Sequence, residues 1–411
     1  MGIIPHDYDI CTSATPEQMR RCFEGLRIIE TGVLHGTLTV FVENEPFEVT
    51  TYRIDGGYPD RRHPADVRFI SNIQDDLQRR DFTINAMAYN EADGLVDLFG
   101  GAEDLRRGLI RCVGDPDKRF SEDALRLLRA LRFASVLGFT VSPSTAGSIH
   151  KNKDLLKDIA CERIGAELGG LLCGQGVEGI LLDFADILAV FIPEIIPMVG
   201  FLQHHSHHCH DVWTHTALSV ASAPENEIIR LALLLHDIAK PACFTTDENG
   251  VGHFYGHSFS GAVLAETVLS RLRYKKRTIE TVKTLVAHHN IELIISESYV
   301  RRLLARLGAE TLNMLLDVKL ADYRAQNPEF LSDRLLFIDR FRSVMNKVLD
   351  EAQCFSLKNL KVNGKDLIKA GIPEGIMIGN ILRFLLDQVI SGKLENEKEA
   401  LLEAASKCVT F

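Results

Sequence analysis

The sequence lacks the patterns that mark secreted, disulfide-bonded or membrane-spanning proteins. Its nine cysteines are scattered and include no Cys-x-x-Cys pair, which argues against a zinc ribbon or a disulfide framework and favours a reducing compartment. No apolar run reaches about 18 residues, and no signal-peptide pattern precedes the first predicted strand. Internal repeats and low-complexity tracts are also missing. These absences predict a cytoplasmic protein with no membrane partner.

Negative charge exceeds positive charge only mildly. The formal net charge of −10 is a weak argument against a protein that coats nucleic acid non-specifically. It still allows a local basic groove, because the local field and not the net charge attracts a polyanion. The apolar and charged fractions are those of an ordinary globular protein. A chain of 411 residues is too long for one core, so we expect about two to four domains.

The pattern of apolar residues changes near residue 100. Before it, we predict mixed α/β structure: a strand ending over residues 7–11, a helix with Thr15 as N-cap and Pro16 in its first turn, a hairpin of residues 38–52, and a mobile loop over 53–66. After it, apolar residues recur at spacings of three and four, which predicts helices. The helical stretches are 121–138, 154–173, 226–240, 258–272 and 299–321. The polar, histidine-dense stretch 200–211 is the best candidate for a domain boundary.

Three carboxylates in the first predicted strands could hold a metal ion. Asp7 and Asp9 share a face in a strand, because side chains at i and i+2 point the same way. Two carboxylates on one face repel unless a cation lies between them, and Glu48 on a second strand would complete an oxygen-rich site suited to Mg²⁺. Phosphoryl and nucleotidyl transferases use such sites to stabilise the attacking and leaving oxygens. Alone, the Asp-x-Asp pattern also fits ordinary surface acids.

A second candidate site lies in the stretch 122–133. Asp123, Arg126, Arg129 and Arg132 are spaced three apart, so on one helix they form a slowly winding stripe opposite a leucine-rich core face. The simplest interpretation is an amphipathic surface helix, whose Asp–Arg pair contributes roughly a few tenths of a kcal/mol.

Hydrogen-bond polarity suggests a more specific role for this stripe. Cytosine and adenine offer an exocyclic amino donor beside a ring-nitrogen acceptor, whereas uracil and guanine offer a carbonyl beside a ring N–H. A carboxylate only accepts and a guanidinium only donates. Asp123 beside Arg126 therefore suits C and A and leaves polar groups unpaired against U and G, which gives strong discrimination. Arg129 and Arg132 would then face a phosphate or the stacked primer end.

These candidates occur in an order that resembles a known family. The motifs of the class II CCA-adding tRNA nucleotidyltransferases are similar to five stretches of this chain: Asp7-x-Asp9, Glu48, residues 79–89, Glu122-Asp123-x-x-Arg126, and Glu162-Arg163-Ile164 with Glu167. That family belongs to the poly(A) polymerase/tRNA nucleotidyltransferase superfamily. The resemblance runs essentially end to end. It implies an enzyme that adds C, C and A to the 3′ end of tRNA from CTP and ATP with Mg²⁺, without a nucleic-acid template.

The resemblance also implies roles for individual residues. Asp7 and Asp9 resemble the metal-binding pair, and Glu48 resembles the third carboxylate, which helps to activate the 3′-hydroxyl of the tRNA. The loop 53–66 is similar to the flexible element that helps the switch from C to A addition. Without the family, Arg80 would be interpreted as a helix-capping or surface arginine. The residues implied to bind the nucleotide are Arg80, Asp81 and Asn85 of the head and Asp123, Arg126, Arg129 and Arg132 of the protein template.

Two questions stay open within this superfamily. Poly(A) polymerases and specialists that add only C or only A share the same kind of head, although residues 32–39 look more like the CCA-adding version. The family also carries a longer segment before the Asp-x-Asp, with a Gly-Gly-x-x-Arg-Asp turn whose backbone N–H groups hold the triphosphate. This sequence has six residues there, so either its start lies upstream or its head holds the triphosphate poorly. The intact downstream motifs favour the first explanation.

The middle of the chain carries a histidine–aspartate pattern similar to that of HD phosphohydrolases, which follow the head in a subset of bacterial CCA-adding enzymes. The residues that match the four ligand positions are His215, His236, Asp237 and Asp322. Imidazole and carboxylate groups from several helices suit a divalent metal that activates water toward a phosphoester. His257 and His288 could serve a second metal or hold a substrate phosphate.

The HD pattern opens two further hypotheses. A metal-dependent phosphohydrolase or phosphodiesterase would use the HD site, with a defective head that only binds RNA. A tRNA-binding scaffold would use neither site for catalysis. The histidines of the boundary stretch have a spacing that fits no single helical face, so solvated loop positions are favoured over a second metal site. These histidines are His204, His205, His207, His208 and His210.

Together these patterns predict an α+β protein with four domains. A small mixed α/β nucleotidyltransferase head covers 1–105, and an all-α neck with the base-template helix covers 106–200. An HD metal-binding domain covers 201–340, and residues 341–411 resemble the helical body and tail that grip the tRNA elbow. The expected partners are tRNA, CTP and ATP, and not DNA or a membrane.

Overall fold

The computed structural model describes residues 8–56, 67–351 and 356–409. Internal contacts divide the chain into two units: unit 1 is Met1–Ile196 with Leu269–Tyr274, and unit 2 is Pro197–Val268 with Lys275–Phe411. Asp7 and most of the predicted loop, residues 57–66, lie outside the described residues. The finer division into four domains stays a prediction.

Unit 1 begins with strands and continues with helices. Its strands are β1 (Asp9–Thr12), β2 (Arg27–Ile29), β3 (Thr37–Val42), β4 (Glu45–Thr51), β5 (Arg53–Asp55), β6 (Val67–Phe69), β7 (Met87–Asn90), β8 (Gly94–Asp97), β9 (Leu109–Ile110) and β10 (Thr140–Val141). Its helices are α1 (Pro16–Cys22), α2 (Ile73–Gln78), α3 (Gly101–Arg107), α4 (Pro116–Glu122), α5 (Leu125–Leu137), α6 (Pro143–Asn152), α7 (Cys161–Leu172), α8 (Val177–Asp183) and α9 (Ala185–Leu188). Short 3₁₀ turns cover Val33–His35, Thr83–Asn85 and Lys153–Asp158.

The first part of unit 1 is a four-stranded sheet in the order β1–β4–β3–β2. Strand β1 runs parallel to β4, whereas β2, β3 and β4 pair antiparallel. The predicted start of α1 is confirmed, because Thr15 caps it in a capping box with Gln18. The predicted hairpin is also confirmed. It turns at Glu43 and Asn44, which both have positive φ, as a tight two-residue turn between twisted strands requires.

One local prediction for the head is confirmed and another is wrong in part. The first strand ends at Thr12, within one residue of the predicted end, and its described part begins at Asp9. Residues 53–55 do not belong to a loop, because β5 pairs antiparallel with β6. The backbone of Arg53 is held further by the Asp76 carboxylate, which accepts its N–H at 3.2 Å.

Helix α5 forms the centre of the helical part of unit 1, where it packs against α7 and α8. The predicted single helix over 121–138 is wrong, because the chain leaves helical geometry at Asp123 (φ −139°, ψ 104°). The Asp123 carboxylate accepts the backbone N–H of Leu125 at 3.0 Å and so stabilises the start of α5. Asp123 therefore lies at a helix junction, and only the three arginines lie on α5.

Unit 2 is almost entirely helical. Its helices are α10 (Val212–Ser222), α11 (Glu227–Leu235), α12 (His257–Arg271, which ends within unit 1), α13 (Lys276–His288), α14 (Glu297–Leu307), α15 (Ala309–Arg324), α16 (Leu331–Asp350), α17 (Gly364–Lys369), α18 (Ile376–Ile390) and α19 (Lys398–Val409). Two short strands, β11 (Thr245–Thr246) and β12 (Gly252–His253), pair antiparallel in a region predicted to be all helical. Gly308, at φ 77°, splits the predicted helix over 299–321 into α14 and α15.

Helices α10, α11, α13 and α15 pack against one another and form the core of this unit. The predicted α+β class, with a mixed head followed by helical domains, is confirmed. Among the described residues, no helix is both long and apolar enough to cross a membrane. The cytoplasmic location stays a prediction.

Close packing at Gly101 gives a testable consequence for the head. A Cβ at this position would collide with the carbonyl oxygen of Thr83 and crowd Met87. Overpacking of this kind costs about 1 to 3 kcal/mol, so we expect Gly101→Ala to lower the free energy of unfolding of unit 1 by that amount. Urea unfolding followed by circular dichroism measures the change. Gly147→Ala in α6 is the matched control, because its Cβ meets open space and alanine favours the helix. An unchanged transition in Gly101→Ala would show that the site is not close-packed.

Candidate functional site

Two of the three predicted metal-binding carboxylates of the head lie side by side. Asp9 and Glu48 are direct partners in the parallel ladder between β1 and β4. Partners across a ladder project to the same face of a sheet, so both carboxylates share one face, and both residues are exposed. Asp7 lies outside the described residues. An exposed pair of carboxylates offers only oxygen ligands, which is the donor set that suits Mg²⁺.

The predicted nucleotide-binding residues of the head meet at Asp81. Its buried carboxylate accepts hydrogen bonds from the Asn85 side chain (3.3 Å) and from Nε of Arg129 on α5 (2.9 Å). Arg80 donates to the backbone carbonyl of Asn85 at 3.1 Å, and its guanidinium lies 3.7 Å from Asp76. The structure therefore brings together Arg80, Asp81, Asn85 and Arg129, although Arg129 is far from the others in sequence.

Arg126 is held in place by the segment next to this group. Its guanidinium donates to the Glu122 carboxylate at 2.9 Å and to the backbone carbonyls of Arg119 and Arg79, both at 3.1 Å. The Arg126 side chain is only 12% exposed. Glu122 also accepts a hydrogen bond from Arg119 at 2.9 Å, so one carboxylate orients two guanidinium groups. The orientation of Arg126 is thus fixed by contacts on several sides.

Asp123 keeps one carboxylate oxygen largely available. Oδ1 accepts the N–H of Leu125, whereas Oδ2 has only a long contact of 3.5 Å with Arg163 among the described residues. Arg163 belongs to the stretch that resembles the family's next motif. It was not assigned a role from the sequence, and the structure places it against Asp123.

The other two arginines of the stripe are paired with acidic side chains. Arg132 donates to Glu167 at 2.6 Å, and Arg129 forms its ion pair with Asp81. The guanidinium carbons of Arg129 and Arg132 lie 5.3 and 4.4 Å from the ring centroid of Phe133. Each of these arginines is therefore engaged within the protein, and the expectation that they face a phosphate or the stacked primer end stays a prediction.

Sequence reasoning missed Glu122, Arg119 and Arg163 as supports of the template. Glu122 stands four residues before Arg126 and three after Arg119, and side chains with these spacings meet on a helix. That spacing was the available signal for the first two. The contact of Arg163 with Asp123 spans forty residues, and no local pattern indicates it.

Unit 2 contains two buried groups of potential metal ligands, whose donor atoms lie within 4.8 Å of one another in each group. The first group comprises His215, His236 and Asp322, and the second comprises Asp237, His257 and His289. We call these six residues the HD centre. All four predicted ligands are included. The suggestion that His288 joins a second site was wrong, because His289 and not His288 belongs to the second group of the described residues.

The four histidines of the HD centre share one tautomer. Each places Nδ1 next to a backbone carbonyl: His215 at Ala325 (3.1 Å), His236 at Leu233 (2.7 Å), His257 at Phe254 (2.6 Å) and His289 at Val286 (2.7 Å). A carbonyl only accepts, so Nδ1–H donates in each case and the lone pair of a neutral ring is left on Nε2. A hydrogen bond from the other ring nitrogen to a backbone carbonyl is typical of histidines that bind metals.

These lone pairs face each other in pairs. The Nε2 atoms of His215 and His236 are 3.3 Å apart, and those of His257 and His289 are 3.2 Å apart. Two acceptors at this distance repel each other unless a cation or a proton lies between them. Burial lowers the pKa of His289 to about 3, which keeps its ring neutral and able to act as a ligand.

Asp237 lies between the two pairs. Its Oδ2 is 3.0 Å from Nε2 of His236, and its Oδ1 is 3.6 and 3.7 Å from Nε2 of His257 and His289. Lys240 Nζ is 2.8 Å from Oδ2, yet neither buried oxygen accepts a well-aligned hydrogen bond from the described residues. Although burial alone would raise it, His236 and Lys240 hold the pKa of Asp237 well below its ordinary value. A buried, ionised and unsatisfied carboxylate between two imidazole pairs fits a bridging ligand of two divalent metals.

A cavity of about 490 Å³ opens onto the HD centre. Its walls include His205, His207 and His208 of the boundary stretch, so these three are not simply solvated loop residues as predicted. Burial lowers the pKa of His208 to about 3, and its Nδ1 has no hydrogen-bond partner among the described residues. Lys240 also lines the cavity and donates to Gln203 at 2.7 Å. His205, His207 and His208 therefore line the cavity of the HD centre, outside the two ligand groups.

Comparison with known proteins identifies the family. Family models match three stretches: the poly A polymerase head domain (residues 1–111), the "Probable RNA and SrmB- binding site of polymerase A" (138–198) and the tRNA nucleotidyltransferase domain 2 (257–405). The CCA-adding enzyme of Ligilactobacillus salivarius is 30% identical over 99% of this chain and 89% of its own length. This chain belongs to the CCA-adding enzymes. The CCA-adding enzyme of Levilactobacillus brevis is 33% identical over 98% of this chain and 89% of its own length.

The fold agrees with this family. The Bacillus stearothermophilus CCA-adding enzyme, solved in complex with CTP, superimposes with a TM-score of 0.74 at 27% identity, over 100% of this chain and 90% of that one. CCA-adding enzymes are nucleotidyltransferases that use a divalent metal. The resemblance of the sequence to this family is confirmed, whereas the role of each site residue stays a proposal.

Proposed function

We propose that this CCA-adding enzyme adds C, C and A to the 3′ end of tRNA from CTP and ATP. Asp7 and Asp9 hold Mg²⁺, and Glu48 helps to activate the attacking 3′-hydroxyl. Bound Mg²⁺ stabilises charge on the oxygens of the transferring phosphoryl group. The observation that carries the proposal is the joint position of Asp123 and Arg126: Arg126 is held against the backbone of Arg79 in the head, and Asp123 is held next to Arg163.

The local geometry supports a preference for cytosine and adenine. Oδ2 of Asp123 has no strong donor among the described residues, so it is available for the exocyclic amino group of cytosine or adenine. Arg126 uses part of its five N–H groups on Glu122 and two carbonyls, and the remaining groups can serve the ring nitrogen of the same base. Uracil and guanine would place a carbonyl against the carboxylate and an N–H against the guanidinium.

Nucleotide binding tests the proposal. Isothermal titration of the full-length protein should show CTP and ATP binding at least about tenfold more tightly than UTP and GTP, because mismatched polar groups are left unpaired. Equal affinity for all four nucleotides would contradict a protein template.

Replacement of the template carboxylate should loosen base choice without ending transfer. We expect Asp123→Ala to reduce the preference for CTP over UTP by about ten- to a hundredfold, because the carbonyl of uracil no longer meets a carboxylate. Competition between CTP and UTP for incorporation into tRNA measures this ratio. Asp183→Ala, at an exposed position of α8, makes the same change of charge and should keep the native preference. An unchanged preference in Asp123→Ala would rule out the template role.

A second activity, metal-dependent hydrolysis of phosphate esters, is favoured by the HD centre. Its buried imidazole pairs and the unsatisfied Asp237 carboxylate fit two divalent metals, and a polar cavity gives access to them. Metals in such a site polarise the phosphoryl group and activate water. Turnover of bis-p-nitrophenyl phosphate that depends on a divalent metal would support this activity. No turnover with any divalent metal would count against it.

A further inference from the structure

Arg334, on α16, lies in the wall of the cavity that opens onto the HD centre. It is half-buried, and its guanidinium carbon lies 4.8 Å from the ring centroid of Tyr323 and 5.6 Å from that of Phe330. Within the described part of the chain, no Asp or Glu forms an ion pair with it. The cavity therefore contains a cation that stacks on aromatic rings and has no acidic partner in the described ranges.

One side chain connects Arg334 to the HD centre. Gln326 accepts a hydrogen bond from Nη1 of Arg334 and donates through Nε2 to Oδ1 of Asp322 at 2.9 Å. Both ends of the Gln326 amide are therefore fixed. This bond uses one of the five N–H groups of the guanidinium, so others remain for a ligand.

An aromatic surface forms another part of the cavity wall. Tyr255 is 76% exposed and stacks on His253, with ring centroids 5.3 Å apart and an angle of 12° between the planes. An exposed aromatic face of this kind binds nucleobases by stacking, with little preference among them. The cavity volume, about 490 Å³, lies within the range of roughly 300 to 1,000 Å³ that is typical of small-molecule sites.

We propose that Arg334 binds the phosphate of a nucleoside phosphate in this cavity, with Gln326 as its positioning residue and Tyr255 as the stacking surface for the base. A planar guanidinium matches two phosphate oxygens at once, which a lysine does not. The ligand is a nucleotide, either free or at the 3′ end of an RNA strand. This inference rests on the second activity proposed for the HD centre, because it assigns the substrate class of that site.

Phosphate binding tests this role without requiring turnover. Isothermal titration of the Mn²⁺-loaded full-length protein with inorganic phosphate and with adenosine 3′-monophosphate gives the two affinities. Arg334→Gln should weaken both by about ten- to a hundredfold, the loss expected for charge-assisted hydrogen bonds, and Arg334→Lys should restore part of the loss. Tyr255→Ala should weaken the binding of adenosine 3′-monophosphate but not of inorganic phosphate. Arg340→Gln, exposed on the same helix, makes the same change of charge and should leave both affinities unchanged.

The possible outcomes separate this inference from the second activity itself. Native phosphate affinity in Arg334→Gln, or an equal loss in Arg340→Gln, would overturn the role of Arg334. Binding of phosphate that depends on Arg334, in a protein that hydrolyses no ester, would support the role of Arg334 and contradict the hydrolase. The metal content of Arg334→Gln, measured by mass spectrometry, should equal that of the wild type. A 3′-phosphorylated RNA oligonucleotide that binds more tightly than the free nucleotide would identify the RNA end as the ligand, and weaker binding would identify the free nucleotide.

Discussion

Glu48→Gln is expected to slow the incorporation of CMP and AMP into tRNA by about 10²- to 10⁴-fold, the range for removal of a group that moves a proton in the transition state. Glu48 lies directly opposite Asp9 in the β1–β4 ladder, on the face that both carboxylates share. The amide keeps the size of the side chain and removes its charge. Single-turnover incorporation of labelled CTP into tRNA that lacks its CCA end measures the rate of transfer.

Glu45→Gln is the matched control for this prediction. Glu45 lies three positions before Glu48 on the same strand, is also exposed, and projects to the opposite face of the sheet because side chains alternate. The Glu45→Gln variant should transfer CMP to tRNA at the wild-type rate. A native rate in Glu48→Gln, or an equal loss in Glu45→Gln, would show that the shared face of β1 and β4 is not the transfer site.

Asp237→Asn should remove bound metal from the HD centre and lower hydrolysis of bis-p-nitrophenyl phosphate by at least about a hundredfold. Its two oxygens face the two histidine pairs, so an amide replaces a charged ligand of both groups. Metal content after dialysis and the rate of hydrolysis are the measurements. The incorporation of CMP should be unchanged, because the catalytic carboxylates lie in unit 1. Retention of the full metal content in Asp237→Asn would contradict the bridging role.

The neighbouring residues His288 and His289 provide a control that distinguishes the loss of a metal ligand from the unfolding of unit 2. His289→Ala should lose metal in the same way as Asp237→Asn, because Nε2 of His289 faces the centre. His288→Ala removes the same type of side chain one position earlier, outside the two ligand groups, and should keep the metal. The same metal loss in both variants would indicate that unfolding of unit 2 is the cause.

Local patterns predicted much of the head, because capping and turn preferences are set by neighbouring residues. The start of α1 at Thr15 and the hairpin turn at Glu43 and Asn44 follow from such preferences. The same kind of reasoning failed at Asp123. A spacing of three residues predicted one continuous stripe, but the Asp123 carboxylate bonds the backbone N–H of Leu125 and separates α4 from α5. A side chain that competes with the helix for a backbone N–H cannot be recognised from the spacing of residues along the sequence.

The sequence identified the candidate residues of both sites better than it identified their partners. Motif order assigned Asp81 to the head and Arg129 to the protein template. Their ion pair joins residues 48 positions apart, which no spacing rule indicates. The four ligands predicted from the HD pattern lie together in the HD centre, whereas His289 and not His288 joins them there. The boundary histidines had no helical period, and only the folded chain shows that His205, His207 and His208 reach the cavity.

The most direct test of the central claim is the sequence of the 3′ ends that the protein produces. Transfer RNA that lacks its CCA end is incubated with the full-length protein, Mg²⁺ and all four nucleoside triphosphates, and the products are sequenced. We predict the addition of C, C and A in that order, followed by termination. A tail of many A residues, ends that contain U or G, or no addition at all would contradict the account.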